Sequence, residues 1–290
     1  RTCRSCRAVP AGDRARPGAP LRCDGPVDAV TTPEILYLDN HLVVAVKPPG
    51  ILSQADGSMS PDMLSLLKEE IRLRFAKPGQ VFLGLVHRLD QPVGGVMVFA
   101  RTSKAASRLS RQIRERTVIK DYLAVVSGRP EPERGTLADT LVKDRSRNLV
   151  QVAKPGDGKE AWLSYCRLAS LDSPTRSLLA IRLGTGRAHQ IRVQLSSRQW
   201  PLLGDRKYGP KTPDLPRLDN LALFACGIGL VHPTRQERLY FSALPPREAP
   251  WTDFEFIQLP DIASLWTDQS HSQNVHEEAR GHISENSSVS

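Results

Sequence analysis

Two apolar runs, Phe82–Val86 and Val96–Ala100, bracket a connection that carries His87, Arg88 and Asp90 and then Pro92, Gly94 and Gly95. Each run is short and continuous, which reads as a buried strand. Any fold this chain adopts must therefore carry Arg88 and Asp90 between core strands. Charges there are costly unless they are paired or put to use. One reading is a turn closed by an Arg88–Asp90 ion pair. The other is a site where the glycines let a ligand approach the backbone.

The flanking sequence supplies an α+β framework. Ile35–Leu38 and Leu42–Val46 flank Asp39-Asn40 and predict a hairpin that ends at Lys47-Pro48-Pro49-Gly50. Ser60 and Pro61 predict a helix start, as N-cap and first-turn proline, with Leu64, Leu67, Ile71 and Phe75 as its apolar stripe. Ser103–Arg116 predicts a second helix, apolar along Ala106, Leu109 and Ile113 and basic at Arg108, Arg111, Arg114 and Arg116. Strands are expected at Val118–Gly128, Leu149–Ala153, Ala161–Leu168, Leu178–Leu183, Leu221–Leu230 and Leu239–Ala243. A third helix is expected to open at Arg187, with His189 and Arg192 as neighbours on one face. Many strands with few helices imply a mixed, mostly antiparallel α+β domain over residues 34–258. Residues 1–33, a basic leader rich in Arg, Pro, Ala and Gly, and the polar tail 259–290 are expected to be disordered.

A formal charge of +9 and a pI near 9.6 favour a polyanionic partner, nucleic acid before membrane. No apolar run approaches the ~20 residues of a membrane span, so no membrane partner is expected. Of the five cysteines, Cys166 and Cys226 lie in apolar runs and read as reduced core thiols. Cys3 and Cys6 form a Cys-x-x-Cys with Cys23 beyond it, but no second pair completes a zinc site, and no metal is expected. Nor do His271, His276 and His282 have metal-site spacing. The cytoplasm is the expected location; a mitochondrion or plastid is the alternative if the Arg-rich leader is a transit peptide, against which Asp13, Asp24 and Asp28 weigh.

Four stretches, in order and at matching spacing, resemble the RluA-type pseudouridine synthases. They are Asp39–Gly50; His87-Arg88-Leu89-Asp90 with Gly94-Gly95; Lys120-Asp121-Tyr122; and Gly186–Arg192 followed by Gly204-Asp205 and Tyr208-Gly209. The resemblance covers about residues 34–245 and overrides the ion-pair reading of the Asp90 segment. It implies a pseudouridine synthase fold, a long bent sheet flanked by helices with the cleft at its middle. The implied reaction breaks the uridine N1–C1′ bond, turns the uracil and rejoins it through C5, with no cofactor. The resemblance places the catalytic aspartate on Asp90, the base-stacking tyrosine on Tyr122, the aspartate-pairing arginine on Arg192 and a base-displacing arginine on Arg88. His87, Arg187, His189 and Gln190 are expected around the substrate. The implied partner is RNA, ribosomal or transfer; a monomer is expected. The chemistry fits these roles, because a carboxylate below the sugar can attack C1′ or act as a base toward C2′. A lone aspartate suits an isomerisation that must keep water out, and RNA bases are usually read once unstacked.

Some positions depart from the family pattern. Val93-Gly94-Gly95 stands where Thr-Ser-Gly is common, Ala188 where Ser or Thr is usual, and Gln194 where His is frequent. No S4 RNA-binding domain is expected ahead of the catalytic one. Two further functions compete: a non-catalytic RNA-binding or assembly protein on the same fold, and a metal-dependent hydrolase using His87, Asp90, His189 and Asp205. The basic charge and the altered glycine segment favour the first. The lack of metal-site spacing and the nearby cations Arg88 and Arg192 weigh against the second.

Overall fold

A computed structural model describes residues 32–76, 79–209, 218, 220–255 and 261–266. In chain order its elements are β1 (Ile35–Leu38), β2 (Leu42–Lys47), α1 (Met63–Arg74), β3 (Gly84–Leu85), β4 (Gly94–Ala100), α2 (Ser103–Arg114), β5 (Ile119–Ser127), β6 (Arg134–Asp144), β7 (Leu149–Ala153), β8 (Lys159–Asp172), β9 (Thr175–Leu183), α3 (Gln190–Ser196), β10 (Leu223–Val231) and β11 (Arg238–Ser242). Among the described residues these strands make one 11-stranded sheet in the order β1-β2-β4-β10-β5-β9-β8-β6-β7, with β11 on β10 and β3 on β4. The β4–β10 pairing is parallel and the rest are antiparallel. The architecture is α+β, as expected.

Alternation along the strands sorts their side chains onto two faces. Val43 and Ala45 of β2, Met97 and Phe99 of β4, and Tyr122 and Ala124 of β5 meet Met63, Leu67 and Ile71 of α1 and Ile191 and Leu195 of α3. Leu42, Val44, Val96 and Val98 meet Ala105 and Leu109 of α2 instead. α1 and α3 therefore cover the face toward which Tyr122 points.

β4 explains where the sheet opens. One edge pairs with β2 throughout, while the other is shared: β10 takes Gly94 and Gly95, and β3 takes Phe99 and Ala100. Gly95 has φ of +128°, and a Cβ there would stand 2.3 Å from the Ala225 carbonyl oxygen, so only glycine permits the β10 contact. Between the two partners the Val98 N–H donates to His87 Nε2 at 3.0 Å rather than to a strand. That fork seats the Asp90 connection beside the opened edge of β4.

The structure corrects several boundaries. α1 is capped by Asp62, which accepts from Ser65 N–H, not by Ser60. Pro61 and Asp62 are held extended by backbone bonds from Leu52 N–H to Pro61 O and from Met63 N–H to Leu52 O. β3 is only a two-residue strand, and Phe82 is exposed. β6 went unread because it buries little beyond Leu137, Thr140 and Leu141 and is charged at both ends. α3 opens at Gln190 because His189, with φ of +52°, is left-handed. Residues 261–266 pack on the sheet: Trp266 lies 5.2 Å from the Arg182 guanidinium and Leu265 O accepts from Arg134. Ile262 and Trp266 anchor this described segment in an otherwise polar stretch. Cys166 and Cys226 are free buried thiols. Cys3, Cys6, Cys23, the rest of the leader through Thr31, and the tail histidines lie outside the described residues. No described helix is long and apolar enough to cross a membrane.

Candidate active site

Asp90 sits on a turn between β3 and β4, closed by Val93 N–H donating to Asp90 O at 3.0 Å. Its neighbours are fastened to the loop that follows β2. Ser53 Oγ donates to Leu89 O at 2.8 Å and accepts from Leu89 N–H at 3.1 Å. Gly50 N–H donates to Gln91 O at 2.9 Å. Lys47 is fully buried and directs its ammonium at the carbonyls of Ile51, Gln91 and Pro48, at 2.6, 2.9 and 3.1 Å. Burial pulls its pKa down to about 7, and the charge of Asp90 opposes the fall. One ammonium thus staples two loops and orders the backbone on either side of Asp90.

Arg192, 5 % exposed, spends its fork on Asp205, with Nε to Oδ2 at 2.8 Å and Nη2 to Oδ1 at 2.6 Å. Nη1 reaches Asp90 Oδ2 at 3.4 Å. The sequence reading gave Arg192 to Asp90 alone; in the structure Asp205 is the tight partner and Asp90 takes the longer third contact. The reason is a preorganised cradle: Asp205 also accepts the Lys207 and Tyr208 N–H groups at 2.9 and 3.0 Å. Burial acts to raise the Asp205 pKa, but the Arg192 hydrogen bonds and charge, with those two N–H groups, hold it below the usual carboxylate value. Arg192 also lies over the Tyr208 ring, 5.2 Å from its centroid.

His189 completes the network from the turn before α3. Its Nδ1 is 2.7 Å from Tyr208 Oη and its Nε2 is 3.8 Å from Asp90 Oδ2. Burial lowers its pKa, with Asp90 opposing and Arg192, Lys207 and Lys143 assisting.

Above these groups lies a cleft of about 600 Å³. Asp90, Tyr122, Arg192, Arg88, His87, Arg187, His189 and Gln190 all line it. Tyr122 forms a wall with Leu89, Val93, Ile191 and Leu223. Burial, with Asp90 nearby, raises the Tyr122 pKa and keeps the phenol neutral. Lys120, two residues back on β5, also reaches the cleft. A smaller chamber of about 390 Å³ shares Asp90, His189 and Arg192 and is walled by Asn148, Arg206 and Lys207.

Two of the expected substrate residues, both on the cleft wall, also hold the framework. His87 Nε2 is taken by Val98 N–H, and burial, with Lys120 assisting, drops the ring pKa to about 3. Gln190 accepts from Thr185 Oγ1 at 2.7 Å and from Arg187 N–H at 3.1 Å, and donates to Trp162 O and to Gln194 Oε1, both at 3.0 Å. Its amide is spent on fixing the turn that presents Arg187 and His189. The hydrolase quartet does not assemble, since Asp205 faces the Arg192 fork and His87 faces a backbone amide. Among the described residues no three His, Cys, Asp or Glu side chains converge as a metal site.

Residues 41–197 match a family model described as RNA pseudouridylate synthase. The chain belongs to this family. Similar pseudouridine synthases include an uncharacterized RNA pseudouridine synthase of Aquifex aeolicus, 34% identical over 222 residues that cover 73% of this chain and 69% of that one. The ribosomal large subunit pseudouridine synthase D of Nitrosomonas europaea is 35% identical, over 73% of this chain and 62% of its own. Among solved structures, human RNA pseudouridylate synthase domain containing 4 aligns with a TM-score of 0.62 at 25% identity, covering 74% of this chain and 89% of that one. Human RNA pseudouridylate synthase domain containing 1 shares the fold, with a TM-score of 0.61 at 23% identity, over 77% and 87% of the two chains. Membership of the pseudouridine synthase family, here of the RluA type, makes the activity class an isomerase.

Three residues of this site carry tasks beyond those the sequence suggests: Lys47 and Tyr208, and Asp205, which pairs with Arg192 rather than serving as a metal ligand. Each left a signal. Lys47 ends an otherwise apolar strand. Asp205 and Tyr208 sit in the polar Gly204–Gly209 loop, and a buried arginine needs a buried acid.

Proposed function

We propose that this chain isomerises uridine to pseudouridine in structured ribosomal or transfer RNA, with Asp90 as the carboxylate that engages the ribose. The observation that carries the reading is one carboxylate, Asp90, its side chain 31% exposed, which lines both chambers and faces Arg192 and His189; Asp56, the other acid on the larger chamber, is exposed. A polyanionic substrate is drawn to the cations around these chambers, and its target ribose meets the acid that both chambers share. Asp90 Oδ2 either attacks C1′ or takes the C2′ proton; both routes need the same oxygen held still, which the Lys47 and Ser53 contacts provide. Tyr122 offers a flat ring for the detached uracil, and Leu89, Val93, Ile191 and Leu223 limit water around it. Arg88, exposed at the cleft, fills the gap left by the displaced base. The smaller chamber, with Arg206 and Lys207 on its wall, gives the RNA strand a second way out.

The test is transcriptome-wide pseudouridine mapping in cells with and without the chain. At least one site in ribosomal or transfer RNA is expected to vanish without it. An unchanged map would return the chain to the role of a non-catalytic RNA-binding protein on this fold.

A further inference from the structure

We infer that Tyr208 fixes His189 as its Nε2–H tautomer and so aims one neutral hydrogen-bond donor at uracil O2 as the base leaves C1′. The inference rests on the isomerase reading above and assigns a task to two side chains outside the Asp90–Tyr122–Arg192 set.

Donor accounting leads to the tautomer. Val150 N–H donates to Tyr208 Oη at 2.8 Å and occupies its acceptor side. The same oxygen is 2.7 Å from His189 Nδ1. The phenolic hydrogen then has one place to go, Nδ1, which must accept. A neutral imidazole that accepts at Nδ1 carries its proton on Nε2. The surrounding charges keep the ring neutral: burial, Arg192, Lys207 and Lys143 act against protonation, and Asp90 alone favours it.

Geometry then gives the donor its target. Nε2 is 3.8 Å from Asp90 Oδ2, too far for a hydrogen bond, so the N–H faces the space beside the carboxylate rather than being consumed by it. When the glycosidic bond breaks, its electron pair stays with the ring and spreads over N1, O2 and O4. C1′ meanwhile bonds to Asp90, or C2′ loses a proton to it. Uracil O2 is attached to the carbon next to N1, so it is the oxygen nearest C1′ and nearest a donor beside Asp90. The donor stabilises the anion without giving up its proton. An imidazolium in the same place would pair with Asp90 and quench the charge the ribose step needs. The left-handed backbone of His189, φ +52°, is the local cost of pointing the ring this way. The Gln190 amide bonds and the Val193 N–H to His189 O bond at 3.0 Å hold it there.

The experiment has two arms. In the first, ¹⁵N-histidine-labelled wild-type chain is read by NMR, with His189→Gln used to assign the resonance. An unprotonated Nδ1 and a protonated Nε2 are expected; the reverse tautomer overturns the assignment even if the chain is an active isomerase. In the second, turnover is measured on uridine-containing RNA. His189→Ala is expected to lose ~10²-fold in kcat, the scale of one preorganised donor. His189→Gln, which keeps an N–H near the Nε2 position, is expected to recover about tenfold of that loss. Tyr208→Phe, which keeps the ring under Arg192, is expected to lower kcat with KM little changed and to mix the tautomers. Equal activity of the Gln and Ala variants overturns the donor role. Wild-type chain inactive on every RNA, with the Nε2–H tautomer present, overturns the isomerase reading instead and the O2 role with it.

Discussion

Arg192→Met tests the internal electrostatics of the site through stability, before any turnover is measured. In the native chain the Arg192 and Asp205 side chains are 6% and 1% exposed, and the substitution leaves Asp205 buried with only two backbone N–H partners. Removing one member of a buried pair costs about 3–5 kcal/mol. For a domain of this size that corresponds to a melting temperature lowered by roughly 6–20 °C. The pH dependence identifies the cause. Asp205 is held below its unfolded pKa, so its share of stability is present at neutral pH and lost as pH falls through the folded value. In Arg192→Met burial acts without the guanidinium and raises that pKa above the unfolded one. The penalty is then present at neutral pH and relieved on acidification. Thermal unfolding of both chains, at about pH 7.5 and about pH 4.5, should therefore show a gap that narrows in acid. Adding Asp205→Asn, which keeps an oxygen for the Lys207 and Tyr208 N–H groups and drops the charge, should restore most of the lost stability without restoring turnover. A gap that ignores pH, or a double variant no more stable than Arg192→Met, would refute the reasoning.

Other expectations follow from the surface and the cleft. Arg111, Arg114 and Arg116 are exposed on or just after α2, whose Ile113 lines the cleft, whereas Arg108 is tied to Pro233 O. Replacing those three by Gln should weaken RNA binding and flatten the log K against log salt slope by about 2–3, and an unchanged slope would make them a solvated face. Tyr122→Phe should keep most turnover, since ring stacking is retained, while Tyr122→Ala should lose roughly 10–100-fold, the range of one base stack. Equal losses in the two would transfer the role of Tyr122 from its ring to its hydroxyl.

Much of the fold was legible because β2, β4 and β10 are nearly unbroken apolar runs and β5 and β9 have apolar centres, and a helix was readable wherever a stripe such as Ala106–Leu109–Ile113 stood against charges. β6 escaped because an outer strand buried mainly by Leu137 and Leu141 carries too little apolar pattern. The start of α3 escaped because a left-handed histidine leaves no mark in composition. In the site, motif resemblance brought Asp90, Tyr122 and Arg192 to one cleft. It did not reveal how Arg192 divides itself between two carboxylates, nor that His87 and Gln190 serve the backbone. Such partitioning depends on distances of a few tenths of an ångström, set by packing from elements far apart in sequence.

The central claim is that the Asp90 carboxylate engages the ribose, and tritium release from RNA labelled with 5-³H-uridine tests it most directly, because isomerisation must exchange the C5 hydrogen. Asp90→Asn keeps the size of the side chain and removes its charge and its nucleophilic oxygen. Release is expected to fall by at least ~10³-fold, while RNA affinity, which rests on dispersed phosphate contacts, changes little. Near-normal release by Asp90→Asn would contradict the mechanism and move the chemistry to another group in the cleft.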